Sequence, residues 1–408
     1  MFTDRYRSIP AGTGAQRGLS LVEIMVGMLI AMIGVVIIFQ MLATSEERKR
    51  TVSSGSDTQV SGIVGMTTLE RDIREAGYGF SSAAFDNAAT PVMGCTVNAY
   101  DSARPAAIRA YTFTLTPIQI VQGASGASDT IIVLRGNGST FPAAHVFTES
   151  SDTTKKTRGR AGLAPRDYAL IARNSPTVDC MIVEITEVND DYGNCTACVD
   201  GVSIQHKQGS YSFPVYLPDG TTPVQTRIAR YNNPAPPIAF TNGFIFNLGN
   251  GARRNIWQVT ANNRLQVTND LLYLDVNPAD GTNDAVEVTE GVVNMQAEYG
   301  IDANNNGQIE TTEWTTTNPA TAAAWANVLA VRVAILLRSG QYERTTVTTA
   351  IPTWSGSATS PLTVTNLDGT ASGTTPADPT MNWRNYRYRV YESVIPLRNI
   401  LWGSNIRP

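Results

Sequence analysis

Between Leu19 and Ala43 the chain reads LSLVEIMVGMLIAMIGVVIIFQMLA, 25 residues with a single charged side chain, Glu23. As a helix this run spans roughly 37 Å at ~1.5 Å per residue, enough to cross a bilayer. It is longer than the apolar core of a secretory signal, and the TSEERKR that follows lacks a small-residue cleavage site. A simple anchor fits the length but leaves Glu23 unexplained. An ionised carboxylate within hydrocarbon costs about 2.5–3.5 kcal/mol on insertion scales, so this residue needs a partner.

One arrangement uses every feature. A polar, basic leader ends at Gly18, a peptidase cuts there, and Leu19 becomes a new amino terminus. Before the cut the Leu19 nitrogen is a neutral amide. Afterwards it is an ammonium, able to pair with Glu23 of a neighbouring subunit and offset the desolvation of both charges. The stretch QRGLSLVEIMVGMLI resembles the processing site of type IV pilins and pseudopilins, with Gly18, Leu19 and Glu23 matching residue by residue. The resemblance implies cleavage after Gly18 by a prepilin peptidase, then amino-terminal methylation. Leu19 stands where phenylalanine is commoner, and the leader is longer than in most major pilins. Both departures suit a minor subunit.

Composition sets the frame for the rest. The 408 residues carry 33 glycines and 21 prolines, and are rich in threonine and asparagine, which favours a turn-rich β body. A net charge of −4 gives no reason to expect nucleic acid as a partner. The cysteines, Cys95, Cys180, Cys195 and Cys198, all follow the apolar run. With Arg17 on the cytoplasmic side they lie outside the cytoplasm, where an even count favours disulfides, in any of three pairings. The CTAC at 195–198 also reads as half a zinc site or a redox pair, but no second CxxC and only two histidines accompany it.

The expected class is α+β: a pilin-like long amino-terminal helix followed by a large antiparallel β-rich head. Residues 1–18 form the leader, 19–80 the helix and 81–408 the head. Within the helix, 19–43 is the membrane or filament-core segment and 44–80 is amphipathic, with Val60, Ile63, Val64, Leu69, Ile73 and Ala76 expected on the inward face. SSGSDTQ at 53–59 reads as a soft segment, and Gly77 and Gly79 as a stop. Strands are expected at 130–136, 168–173, 180–186, 243–249, 256–260 and 271–276, and loops at 149–165 and 354–380. Four stretches, LERDIREAGYGF, GVVNMQAEYGID, VLAVRVAILLRSG and YRYRVYESVIPLRN, resemble segments of PilW-type minor pilins. The last two read as strands, the final one closing the head. Arg332, Arg338 and Arg398 read as partly buried, ion-paired residues.

DANNNGQIETTE, residues 302–313, fits the calcium-loop pattern D-x-[DN]-x-[DN]-G-x5-E without a gap. Asp302, Asn304, Asn306, the Gln308 carbonyl, Glu310 and Glu313 supply the oxygens, and Gly307 takes the sharp turn. Two asparagines keep the ligand charge modest, which suits a weak to intermediate structural calcium site in external fluid. The competing reading is a plain Asn/Gly-rich turn.

An enzyme is not expected. His145 and His206 sit in unrelated contexts, and the glycine stretches lack the strand–loop–helix setting of a phosphate site. The resemblance implies a minor pilin that primes type IV pilus assembly at or near the tip, supporting adhesion and twitching motility. Its partners would be prepilin peptidase, other minor pilins, the major pilin, a tip adhesin and the membrane. The head would be periplasmic and anchored in the inner membrane before assembly, and on the cell surface afterwards. The alternatives are a pseudopilin of a type II secretion system and a membrane-anchored, calcium-stabilised binding protein.

Overall fold

In a computed structural model, one helix, Leu21–Arg74, runs for 54 residues. The described residues are 20–80, 93–138, 144–151, 153–173, 179–190, 201–232, 240, 242–275 and 283–405. The chain divides into two compact units, Met1–Ser54 and Gly55–Pro408. In the first, the helix is long and apolar enough to cross a membrane, and none of its apolar window is buried. The soft segment expected at 53–59 is helical throughout. It contains no proline, and a single interior glycine such as Gly55 costs only about 1 kcal/mol. Beyond Arg74 the chain turns through Gly77 and Gly79, whose φ values of 78° and 100° favour glycine.

The second unit is built on antiparallel sheets. A four-stranded sheet runs Trp314–Thr315, Val292–Ile301, Val328–Arg338, Tyr388–Pro396. A five-stranded sheet runs Ala285–Glu290, Arg264–Asn269, Arg253–Val259, Thr130–Arg135, Ile118–Val121. A nine-stranded sheet uses most of the remaining strands, with one parallel pairing, Thr96–Asn98 against Asp179–Met181. Ser210–Pro214 and Val224–Ile228 form a separate hairpin.

Met66, Leu69, Ile73 and Ala76 of the helix share one core with Ile131, Val133, Trp257 and Leu265 of the five-stranded sheet and Met295, Val331 and Ile335 of the four-stranded sheet. The nine-stranded sheet is covered on both faces. Leu170, Ala172, Ile182, Phe244 and Phe246 enter one cluster, while Ala169, Ile171, Val183 and Ile245 enter another. Burial on both faces is why YALIAR, CMIVEIT and GFIFNLG read as continuous apolar runs. Cys95 and Cys180 are joined by a disulfide across 85 residues of sequence. Cys195 and Cys198 lie outside the described residues, as do Gly18 and Leu19.

Three expectations are corrected. The apolar LLYLDV forms no strand over its described residues, because the Asn269 Oδ1 accepts the Leu271 and Leu272 amides at 3.2 Å each and turns the chain. The polar stretch 149–165 contains part of a strand, His145–Ser151, that pairs with Thr154–Thr157. There Lys155 and Thr157 point inward, and the Lys155 ammonium donates to the Ser151 carbonyl at 2.6 Å, so the buried polar group is satisfied. The third concerns the helix face. Val60, Ile63 and Val64 are 59%, 57% and 44% exposed. Gly62, Gly65 and Met66 point inward instead.

The final strand, Tyr388–Pro396, lies at the edge of its sheet and leads into the short helix Arg398–Asn405.

Candidate functional site

Glycine is what seats the helix. A Cβ at Gly62 would fall 2.2 Å from the Tyr391 ring, and one at Gly65 would fall 2.8 Å from the Thr289 methyl. Only hydrogen at these positions lets the helix backbone approach the sheets so closely. The Thr289 hydroxyl donates to the Ser61 carbonyl at 3.1 Å and completes the contact.

Two turns on from Gly65, a buried carboxylate fixes the docking. Asp72 is 6% exposed and accepts from three side chains on neighbouring strands. Its Oδ1 takes the Arg135 Nε–H at 2.9 Å and the Asn255 amide at 3.0 Å. Its Oδ2 takes the Asn255 amide at 2.9 Å and the Trp257 indole N–H at 2.7 Å. Arg135 also reaches Glu75 at 2.5 Å. A buried charge is tolerable when its lone pairs are filled and a counter-charge is near, and both conditions hold here. The helix end is satisfied by the far end of the chain. The Asn399 amide donates to the carbonyls of Glu75 and Ala76 at 3.2 and 2.9 Å, groups that a helix terminus leaves orphaned. Thus LERDIREAGYGF and YRYRVYESVIPLRN, distant in sequence, meet at one joint.

At the other end, Glu23 sits in the first turn of the helix. Its carboxylate accepts the Ser20 N–H at 3.0 Å, and the Ser20 hydroxyl accepts the Val22 N–H at 3.2 Å. This S-x-x-E arrangement caps the first turn and places the carboxylate at the positive end of the helix dipole. The motif was visible in the sequence, but the reading of Glu23 as a charge in need of a partner overlooked this local role.

The 302–313 loop joins Val292–Ile301 to Trp314–Thr315, and Gly300 pairs with Trp314 across its neck. Asp302 accepts the Asn306 and Gly307 amides at 3.0 and 2.8 Å. Asn306 Oδ1 accepts the Gln308 amide at 2.8 Å, while Glu313 accepts from Ala303 and Glu310, each at 2.9 Å. Asn305 and Gly307 take φ values of 58° and 78°. The loop therefore folds its carboxylate and amide oxygens inward, the hard-oxygen donor type that calcium requires. Among the described residues no group of three or more carboxylate, histidine or cysteine side chains gathers at metal-binding distance. Asp302, Glu310 and Glu313 are thus not drawn together as a cluster, and Asp302 and Glu313 accept amides of the loop itself.

The arginines take structural positions. Arg332 pairs with the fully buried Glu298 and lies over the rings of Trp314 and Trp354, at 4.7 and 5.5 Å from their centroids. Arg338 stacks over Tyr386 at 5.2 Å. Arg398 lines a shallow pocket of about 300 Å³ with Thr67, Glu70, Arg71, Arg74 and Glu75. His206 is fully buried and neither ring nitrogen has a hydrogen-bond partner among the described residues; burial, aided by nearby Lys155, lowers its pKa to about 3.

Comparison with known proteins bears on the carboxy-terminal part. Residues 256–399 match the family model described as type IV pilus-assembly protein W. The match spans the four-stranded sheet, the 302–313 loop and Asn399, and supports a PilW-type protein involved in type IV pilus assembly. No curated protein and no solved structure matches the chain.

Proposed function

We propose that this PilW-type chain is a minor pilin whose role is structural rather than catalytic. It enters the inner membrane as a precursor through its apolar run and is cut after Gly18 by prepilin peptidase. Methylated at Leu19, it then joins other minor pilins and a tip adhesin to prime assembly of the shaft, and so supports adhesion and twitching. The observation that carries this reading is the helix itself. Its apolar run is exposed, while its distal part is bolted to the sheets by Asp72. Such an element exchanges lipid for neighbouring helices while its head stays in water. Glu23 fits the exchange, since it already sits against the Ser20 N–H, one residue from the nitrogen that cleavage would convert to an ammonium.

Amino-terminal sequencing of the mature protein tests processing: methylated leucine is expected, and an intact arginine-bearing leader on functional protein refutes the reading. For assembly, Glu23→Gln is the informative variant. Glutamine keeps the capping geometry and removes the charge, so normal processing with loss of pili is the expected result.

We assign the 302–313 loop to calcium, held by Asp302, Asn304, Asn306, Gln308, Glu310 and Glu313. Calcium would cross-link the loop, neutralise its acids and stiffen the turn that returns the chain to the sheet at Trp314. Titration of the full chain in detergent should show binding that Glu313→Gln weakens at least tenfold. Unchanged melting with chelator would remove the assignment.

A further inference from the structure

The shallow pocket of about 300 Å³ is shared by the last two turns of the long helix, with Thr67, Glu70, Arg71, Arg74 and Glu75, and by Arg398, which opens the short helix Arg398–Asn405. Three arginines line it with two glutamates, and both acids are already engaged. Glu70 pairs with Arg74. Glu75 takes Arg135 on one oxygen at 2.5 Å and Arg71 on the other at 3.8 Å. Adding Arg135 and its second partner Asp72 to the count leaves the same excess of one positive charge. None of the ion pairs among the described residues includes Arg398, which is exposed, so the expectation that it is partly buried and ion-paired is corrected. Arg71 is 83% exposed and has only its loose contact with Glu75. The short helix adds to the field. Leu397, the residue before it, has no side-chain acceptor, and the Ile400 and Leu401 amides share the Leu397 carbonyl at 3.1 Å each. The first turn is therefore uncapped and puts its partial positive charge beside Arg398.

We propose that this pocket receives the carboxylate of an aspartate or glutamate on a neighbouring pilus subunit, a reading that rests on the minor-pilin function above. Charge selects the ligand. One carboxylate balances the excess, whereas a phosphate group, with a charge of about −2, would leave net negative charge beside Glu70 and Glu75. Arg71 and Arg398 carry the planar donor forks that hold a carboxylate by two bonds at once, and Thr67 adds a hydroxyl. Shape selects the source. A free small molecule is normally enclosed over most of its surface, which a shallow pocket does not do. A side chain carried by a protein brings the rest of its cover with it. Held between Arg71 and Arg398, the incoming carboxylate would tie the two helices where Asn399 already joins them.

The test places a photoreactive phenylalanine analogue at position 67 of the full-length protein in pilus-producing cells. The expected adduct maps to another pilus subunit, beside an aspartate or glutamate. Adducts with lipid alone, or no adduct, overturn the proposal. In parallel, Arg398→Glu should lower surface pili about tenfold, with the Cys95–Cys180 disulfide formed as in the parent. Arg398→Gln is carried alongside, so that poor accumulation of the glutamate variant does not decide the result. Changing the mapped acid to arginine should then restore pili in the Arg398→Glu strain to within about twofold of the parent, as a direct charge pair requires. Failure of this exchange, or parental pili in whichever Arg398 variant accumulates, overturns the pocket. If Glu23→Gln still abolishes assembly in that case, only the pocket has failed; if Glu23→Gln also assembles, the minor-pilin reading fails with it.

Discussion

The Asp72 carboxylate and the Trp257 indole nitrogen lie 2.7 Å apart, with Trp257 only 2% exposed, so the helix is tied to the five-stranded sheet by a charge-assisted bond shielded from water. Bonds of this type gain strength from the low local dielectric and are costly to break on one side only. The joint is therefore a point where one substitution has a large effect.

Asp72→Ala leaves the Trp257 N–H and the Asn255 amide without their acceptor. A loss of about 3 kcal/mol in unfolding free energy is expected, read from the urea midpoint of the full chain in detergent. Asp72→Asn, which retains an acceptor, should lose less. Equal midpoints for Asp72→Ala and the parent would show that the bonds contribute nothing net.

Gly62→Leu forces a side chain into the Tyr391 ring. Overpacking of this kind costs roughly 1–3 kcal/mol. Tyr391→Ala in the same chain should recover part of the loss, because it removes the atoms that a Cβ at Gly62 would meet at 2.2 Å. A double variant no better than Gly62→Leu alone would place the strain elsewhere.

Acid should weaken the fold through His206. Burial depresses its pKa to about 3 from an ordinary 6.5, so the unfolded chain binds the proton first. Stability from the neutral ring is complete above pH 6.5 and is lost as pH falls toward 3. Asp129 works in the opposite direction. Burial raises its pKa to about 6, so it costs stability as pH rises from about 4 to 6. Denaturant midpoints of a His206→Phe variant should fall less steeply between pH 6.5 and 4 than those of the parent. Parallel curves would contradict the burial of a neutral histidine.

Opening the Cys95–Cys180 link frees an 85-residue loop in the unfolded chain. On the chain-entropy account, Cys180→Ser should cost about 4.5 kcal/mol. Differential scanning calorimetry of the parent and variant under non-reducing conditions measures it. A shift in Tm too small for 1 kcal/mol would mean that the unfolded chain is already compact across that loop.

Much of the architecture was legible because apolar runs between turn residues mark strands whatever they pack against, as TIIVLRG and GFIFNLG do. What escaped the reading involves residues whose role is fixed only by a neighbour distant in sequence. Gly62 and Gly65 register as gaps in an apolar pattern, so the pattern assigned Val60, Ile63 and Val64 to the wrong face. Asp72 reads as an exposed helix charge until Arg135, Asn255 and Trp257 arrive from two strands. Lys155 reads as loop polarity until a hairpin supplies its carbonyl. The LLYLDV run is apolar enough for a strand, yet a single asparagine two residues before it bends the chain away. Of the amino-terminal residues, Glu23 showed its charge in the sequence but not its capping bond with Ser20.

The bond from Asn399 to the helix end imposes an order on biogenesis. A segment translated early is moored by a side chain 323 residues after Ala76. Any product truncated upstream of that residue keeps its apolar helix but has no finished joint. Until Asn399 is made, the carbonyls of Glu75 and Ala76 lack this donor, and protease susceptibility at the helix–head junction is the readout that separates a finished joint from an unfinished one.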